Sequence, residues 1–215
     1  MKLTLPEDRV AVKICGLTND EDARAAIAAG ADLLGFNTWP GSKRFLDIEA
    51  HASWIAALSV TRVALLVNAP PEEAARIAAL PYIDALQFHG DEDGAYCTAA
   101  AAHGKPIIKA LRVSEPAHFA GADSFLTQHL LLDACVPNAY GGTGVRVNLE
   151  LVQQFAKDYP RLHLWLAGGL TPENVAEAIR AVRPRVADVS SGVESGPGKK
   201  DFARMQAFCT AVRTA

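Results

Sequence analysis

A chain of 215 residues, half of them hydrophobic, can bury a large core, and no linker-like stretch divides it, so one domain spanning residues 1–215 is expected. A formal net charge of −3, with Lys and Arg scattered along the chain, excludes the basic footprint that nucleic acid or an anionic membrane requires and leaves a small molecule as the expected partner. Cys15, Cys97, Cys135 and Cys209 form no CxxC pair and no zinc-ligand spacing, no apolar run reaches membrane-spanning length, and Met1 to Asp8 lack a signal-peptide core. Reduced thiols in a soluble cytoplasmic protein, with no metal site, are expected.

In chain order, the first apolar run is Val10 to Ile14, followed by Thr18 and Glu21 at capping-box spacing. Leu33 to Phe36 is the second run, with Ile48, Ala52 and Ile55 at helical spacing after it. Val63 to Val67 is the third, and Pro70-Pro71 opens a helix beyond it. Ala85 to Phe88 and Ile107 to Ala110 are the fourth and fifth; the helical signal after the fifth, around Pro116 to Ala120, is weak. Leu130 to Leu132 is the sixth, and Asn148 can cap a helix carrying Val152, Ala156 and Tyr159. Leu164 to Ala167 is the seventh, with Thr171 as a cap, Pro172 at the first helical position, and Val175, Ile179 and Val182 on one face. Val186 to Val189 is the eighth, before the Phe202, Met205, Cys209 and Val212 stripe.

Most of these runs are continuously apolar, as strands covered on both faces are. Eight βα units therefore predict an α/β fold, a parallel eight-stranded (β/α)8 barrel. The competing doubly wound open sheet usually carries a glycine-rich turn after its first strand, whereas Cys15-Gly16-Leu17-Thr18-Asn19 has a single glycine.

Such a barrel places its reactive groups at strand C-termini and in the loops after them. The polar residues there are Lys13, Cys15, Ser42, Arg44, Asn68, His89, Lys109, Arg112, Asp133, Gly168-Gly169 and Ser190-Ser191-Gly192. Loops seven and eight are small and polar together, which suits a phosphate held by backbone N–H groups, although Gly-Gly also simply turns a chain. Asp133 ends an apolar strand and is a candidate proton donor or a loop cap. Cys15 could be a base or a small buried hydrophobe; a nearby cation would enlarge its thiolate fraction. Arg44 could hold a carboxylate or stay solvated, and His89 could donate to substrate or be structurally satisfied. Asp188 reads as an anchor for polar groups in the barrel, and Gly141-Gly142-Thr143-Gly144 as a loop able to fold over a ligand.

Together these stretches resemble the phosphoribosylanthranilate isomerase family of tryptophan biosynthesis. The resemblance is carried by Lys13-Ile14-Cys15-Gly16-Leu17-Thr18, Gln87-Phe88-His89-Gly90, Leu132-Asp133, Gly141-Gly142-Thr143-Gly144, the Ala167-Gly168-Gly169-Leu170-Thr171-Pro172 run and Asp188-Val189-Ser190-Ser191-Gly192-Val193-Glu194. It implies a TIM barrel, acting as a monomer or homodimer without cofactor, that performs the Amadori rearrangement of N-(5-phosphoribosyl)anthranilate to the 1-deoxyribulose form. By position, Asp133 would protonate the furanose ring oxygen, Cys15 would take the proton from C2, and Arg44 would pair with the anthranilate carboxylate. Gly168, Gly169, Ser191 and Gly192 would line the phosphate site, with His89, Gly142 and Ser190 as further substrate contacts. Val147-Asn148-Leu149 and Asn37 to Gly41 depart from the family pattern. A histidine-pathway isomerase resembles this chain less, because it carries Asp at the strand-one position; a non-catalytic phosphate binder would have no use for a separated base and acid.

Overall fold

The computed structural model of the protein describes residues 3–135 and 145–215. Elements are numbered in chain order. Strands β1 (Ala11–Cys15), β2 (Leu33–Asn37), β3 (Thr61–Leu66), β4 (Ala85–Phe88), β5 (Ile107–Val113), β6 (His129–Ala134), β7 (His163–Leu166) and β8 (Val186–Val189) pair in parallel, each with the next. The ring closes through β8 and β1, where Lys13 lies opposite Asp188. The open sheet is thereby excluded, and each predicted strand is found within three residues at either end.

Strand alternation sorts the side chains into two cores. Inward residues such as Leu33, Val63, Ile108, Leu131, Trp165 and Val186 fill the barrel, while Ile14, Leu34, Phe36, Leu86 and Leu132 face out under the helices. Those helices are α1 (Asp20–Ala29), α2 (Ala52–Ala56), α3 (Pro71–Ala78), α4 (Gly94–Ala101), α5 (Leu149–Asp158), α6 (Val175–Val182) and α7 (Phe202–Arg213). None of the described helices is long and apolar enough to cross a membrane.

Between β5 and β6 the chain makes two 3-10 turns, Pro116–Phe119 and Ala122–Phe125, in place of an α-helix. Gly121 and Leu126 both turn left-handed there, at φ 73° and 53°, and interrupt any longer helix.

Two expected caps are corrected. Asn19, not Thr18, caps α1, by accepting from the Asp22 N–H; the Thr18 hydroxyl instead donates to the Gly198 carbonyl. Thr171-Pro172 begins a turn, and α6 starts only after Asn174, whose side chain accepts the Thr171 N–H. Pro70-Pro71 does open α3, and Asn148 does cap α5. After β8 a short hairpin, β9 (Glu194–Gly196) with β10 (Lys199–Lys200), turns through Gly196-Pro197-Gly198 and was not anticipated from the sequence.

Candidate active site

A cavity opens at the C-terminal mouth of the barrel, and Cys15, Arg44, His89, Asp133, Gly168, Gly169, Ser190, Ser191 and Gly192 line it together. Gly142, with the rest of Gly141 to Gly144, lies outside the described residues. Three other strand-end candidates are elsewhere. Lys109 points to the outer face of β5, donates to the Gly90 carbonyl at 2.7 Å and pairs with Glu92 at 2.9 Å. Arg112 pairs with Asp91, and the Asn68 side-chain Oδ1 accepts the Asp91 N–H, so both tie surface loops.

Alternation along β4, continued one residue past its end, and along β6 turns Gln87, His89 and Asp133 inward. His89 Nε2 lies 3.1 Å from Asp133 Oδ2, and its Nδ1 lies 3.0 Å from Gln87 Nε2. The other Asp133 oxygen accepts the Ala134 N–H at 2.8 Å. With Gln87 Nε2 donating to Nδ1, His89 carries its proton on Nε2 and donates to a carboxylate at Asp133; the opposite tautomer accepts from a protonated Asp133. That second state is matched by a reversed Gln87 amide, whose Oε1 now stands buried with no partner among the described residues. His89 can thus serve Asp133 in both protonation states, and both of its ring nitrogens are engaged before any substrate arrives.

Across the cavity, a chain of hydrogen bonds sets Arg44. Asn37 Nδ2 donates to the Ser42 hydroxyl at 3.1 Å, which in turn accepts the Arg44 N–H at 3.0 Å. The guanidinium is neither solvated nor wholly free for a ligand: Nε and Nη2 each reach a Glu194 oxygen at 2.8 Å. Glu194 also accepts from Lys200 Nζ at 2.8 Å, and the same ammonium donates to the Cys15 carbonyl at 2.6 Å. The hydrogen bond to Glu194 raises the Arg44 pKa. Burial works against the charge on Glu194, but Arg44 and Lys200 outweigh it and hold its carboxyl below the usual range.

Cys15 ends β1 at the cavity wall, buried but facing the open mouth. Burial pushes its thiol above the ordinary value, Lys13 pulls the other way, and Asp188 adds to the rise. Cys97 and Cys209 are pushed up to about 11 by burial and sit in the outer core as packing residues. Asp188 anchors Lys13 inside the barrel at 3.0 and 3.1 Å.

Loops seven and eight approach the cavity through small residues. Gly168 and Gly169 are left-handed, at φ 89° and 63°, and a Cβ on Gly168 would press within 3.0 Å of Asp133 Oδ1. A Cβ on Gly192 would collide with the Leu170 carbonyl oxygen. The Ser190 hydroxyl is buried at the cavity with no hydrogen-bond partner among the described residues, and a 3-10 turn begins at Ser191.

Gln87, Glu194 and Lys200 were not named as site residues from the sequence. Gln87 had a usable signal, since it stands two positions before His89 on the same inward face. Glu194 and Lys200 had none, because what ties them to the site, Arg44 and the Cys15 carbonyl, comes from the opposite end of the chain.

A model of the family described as N-(5'-phosphoribosyl)anthranilate (PRA) isomerase matches residues 12–211. The N-(5'-phosphoribosyl)anthranilate isomerase of Magnetococcus marinus is 44% identical over 96% of this chain and 96% of its own. That of Acidithiobacillus ferrooxidans is 45% identical over 95% of this chain and 98% of its own. Among solved structures, the Thermotoga maritima phosphoribosyl anthranilate isomerase superposes with a TM-score of 0.86 at 37% identity, covering 96% of this chain and 100% of that one. A phosphoribosyl anthranilate isomerase in complex with reduced 1-(o-carboxyphenylamino)-1-deoxyribulose 5-phosphate gives 0.82 at 35% identity, with the same coverage.

Proposed function

The chain belongs to the N-(5'-phosphoribosyl)anthranilate isomerase family and carries out its isomerisation in tryptophan biosynthesis, and we propose that Asp133 supplies the acid and Cys15 the base of that reaction. The observation that carries this division is the convergence of one His-supported carboxyl and one thiol on opposite walls of a cavity whose rim is built from glycines. A rearrangement that opens a ring and moves one hydrogen needs these two groups and no hydride, metal or acyl step.

Protonated Asp133 gives its proton to the furanose ring oxygen as the C1–O bond breaks and the anilino nitrogen pair forms the C1=N bond. The Cys15 thiolate then takes the proton from C2, and the electron pair returns to nitrogen, leaving a C1=C2 enolamine. Ketone formation moves a proton to C1 and releases the enol proton, so the cycle closes with no net proton taken up. Throughout, His89 switches tautomer to follow the Asp133 proton. Gly168, Gly169, Ser191 and Gly192 bring backbone N–H groups to the phosphate, and Ser190 offers its unpartnered hydroxyl.

Arg44 meets the anthranilate carboxylate with the guanidinium edge that Glu194 leaves over, so Glu194 sets the angle of approach. Residues 1–215 act as one catalytic domain in the cytoplasm, as a monomer or homodimer; a solved Thermotoga maritima relative, 36% identical, is described as a dimeric enzyme.

The test is turnover of freshly formed phosphoribosylanthranilate, read as decay of its fluorescence, in Cys15→Ser and Asp133→Asn. Each substitution is expected to slow turnover by about 10²- to 10⁴-fold. Wild-type rates in both would end the assignment.

A further inference from the structure

Lys13 is wholly buried inside the barrel, on the same inward face of β1 as Cys15 and two positions before it. A lysine in that position needs a reason, since an ammonium is among the groups least tolerated in an apolar core. Asp188, its register partner on β8, supplies half of one by binding Nζ through both oxygens, at 3.0 and 3.1 Å. The other half lies at Gly35, the register partner of Cys15 on β2. A Cβ at Gly35 would fall 2.7 Å from Cys15 Sγ and 3.0 Å from Lys13 Nζ. Thiol and ammonium therefore share one small space, which stays open because residue 35 has no side chain.

We propose that Lys13 is the positioning residue that makes Cys15 a base: its ammonium, seated between the Cys15 thiol and the Asp188 carboxylate, stabilises the thiolate that takes the C2 proton. The proposal rests on the reading of Cys15 as the base. Burial works against the charge on Lys13, yet Asp188 and Cys15 outweigh it and favour the ammonium. Asp188 and the thiolate then compete for one cation, with Asp188 restraining as well as positioning it.

The other charged groups around Cys15 come from four further elements. Lys200 on β10 donates to the Cys15 carbonyl oxygen and is itself shared with Glu194. Arg44, after β2, has its fork engaged by Glu194. Asp133 on β6 and His89, just after β4, hydrogen-bond to each other at the cavity. Among the described residues, Lys13 is the cation whose ammonium lies beside the sulfur itself.

The test reads Cys15 directly, as the pH dependence of its alkylation by iodoacetamide in the intact protein, quantified by mass spectrometry of the Cys15 peptide. Lys13→Met is expected to raise the alkylation midpoint by about one to three pH units. Asp188→Asn, which removes the competitor and keeps the shape, is expected to lower it. A residue that only holds the fold together gives no such opposed pair of shifts, so midpoints that stay put or move the same way overturn the proposal. Should Lys13→Met fail to fold, the Asp188→Asn arm decides alone, and an unlowered midpoint overturns it. The basic-group limb of kcat/KM against pH is expected to follow the alkylation midpoints. Midpoints that move while that limb does not support the Lys13 coupling and overturn instead the assignment of Cys15 as base.

Discussion

At the mouth of the barrel His89 meets Asp133 at 3.1 Å beside an open cavity; at the floor His129 meets the Trp165 indole N–H at 3.3 Å, with the His163 ring tilted against it at a centroid distance of 5.0 Å. His129 begins β6 and His89 directly follows β4, and both are buried. What separates them is the company. His89 faces a carboxylate that can trade a proton with it, whereas His129 lies among rings and the nearby Arg185, and burial, His163 and Arg185 lower its pKa to about 4. A barrel can thus keep its proton-transfer chemistry at one end while packed rings hold the other together.

This contrast can be broken or sharpened by substitution. The largest effect is expected at the floor: Trp165→Ala should cost about 3–5 kcal/mol of stability, read by urea denaturation, because it empties the centre of the inner core. Acid should act on the same region. His129 is lowered in the folded protein, so its contribution is fully present above the ordinary histidine value near 6.5 and is lost as pH falls toward about 4. A loss of about 3 kcal/mol across that window is expected, and His129→Leu should flatten it.

At the mouth, Arg44→Ala should raise KM by about ten- to a hundredfold, corresponding to about 1.5–3 kcal/mol for a lost charged hydrogen bond, with a much smaller effect on kcat. The smallest effect is expected at Asn148→Ala, which removes the α5 cap for about 1 kcal/mol, read as a lowered melting temperature.

The two regions also differ in how far the sequence reveals them. Continuous apolar runs disclosed the eight barrel strands, and the ends of those runs placed Cys15 and Asp133 at the mouth. Each of those inferences uses only local spacing. Arg44 with Glu194, and Lys13 with Asp188, join residues 150 and 175 positions apart. Such pairs depend on how the barrel closes and on a hairpin beyond β8, which no local period encodes. The missing fifth helix had a local cause in Gly121 and Leu126, and its weak signal was already visible. The floor cluster of His129, His163 and Trp165 was invisible for the same reason as the ion pairs, since it needs the β6–β7 register.

The most direct test measures turnover and the urea unfolding midpoint on the same preparations of Asp133→Asn and Trp165→Ala. Chemistry confined to the mouth predicts that Asp133→Asn loses turnover while its midpoint holds or rises, and that the folded fraction of Trp165→Ala keeps turnover while its midpoint falls. Loss of both quantities together in either protein would contradict the division.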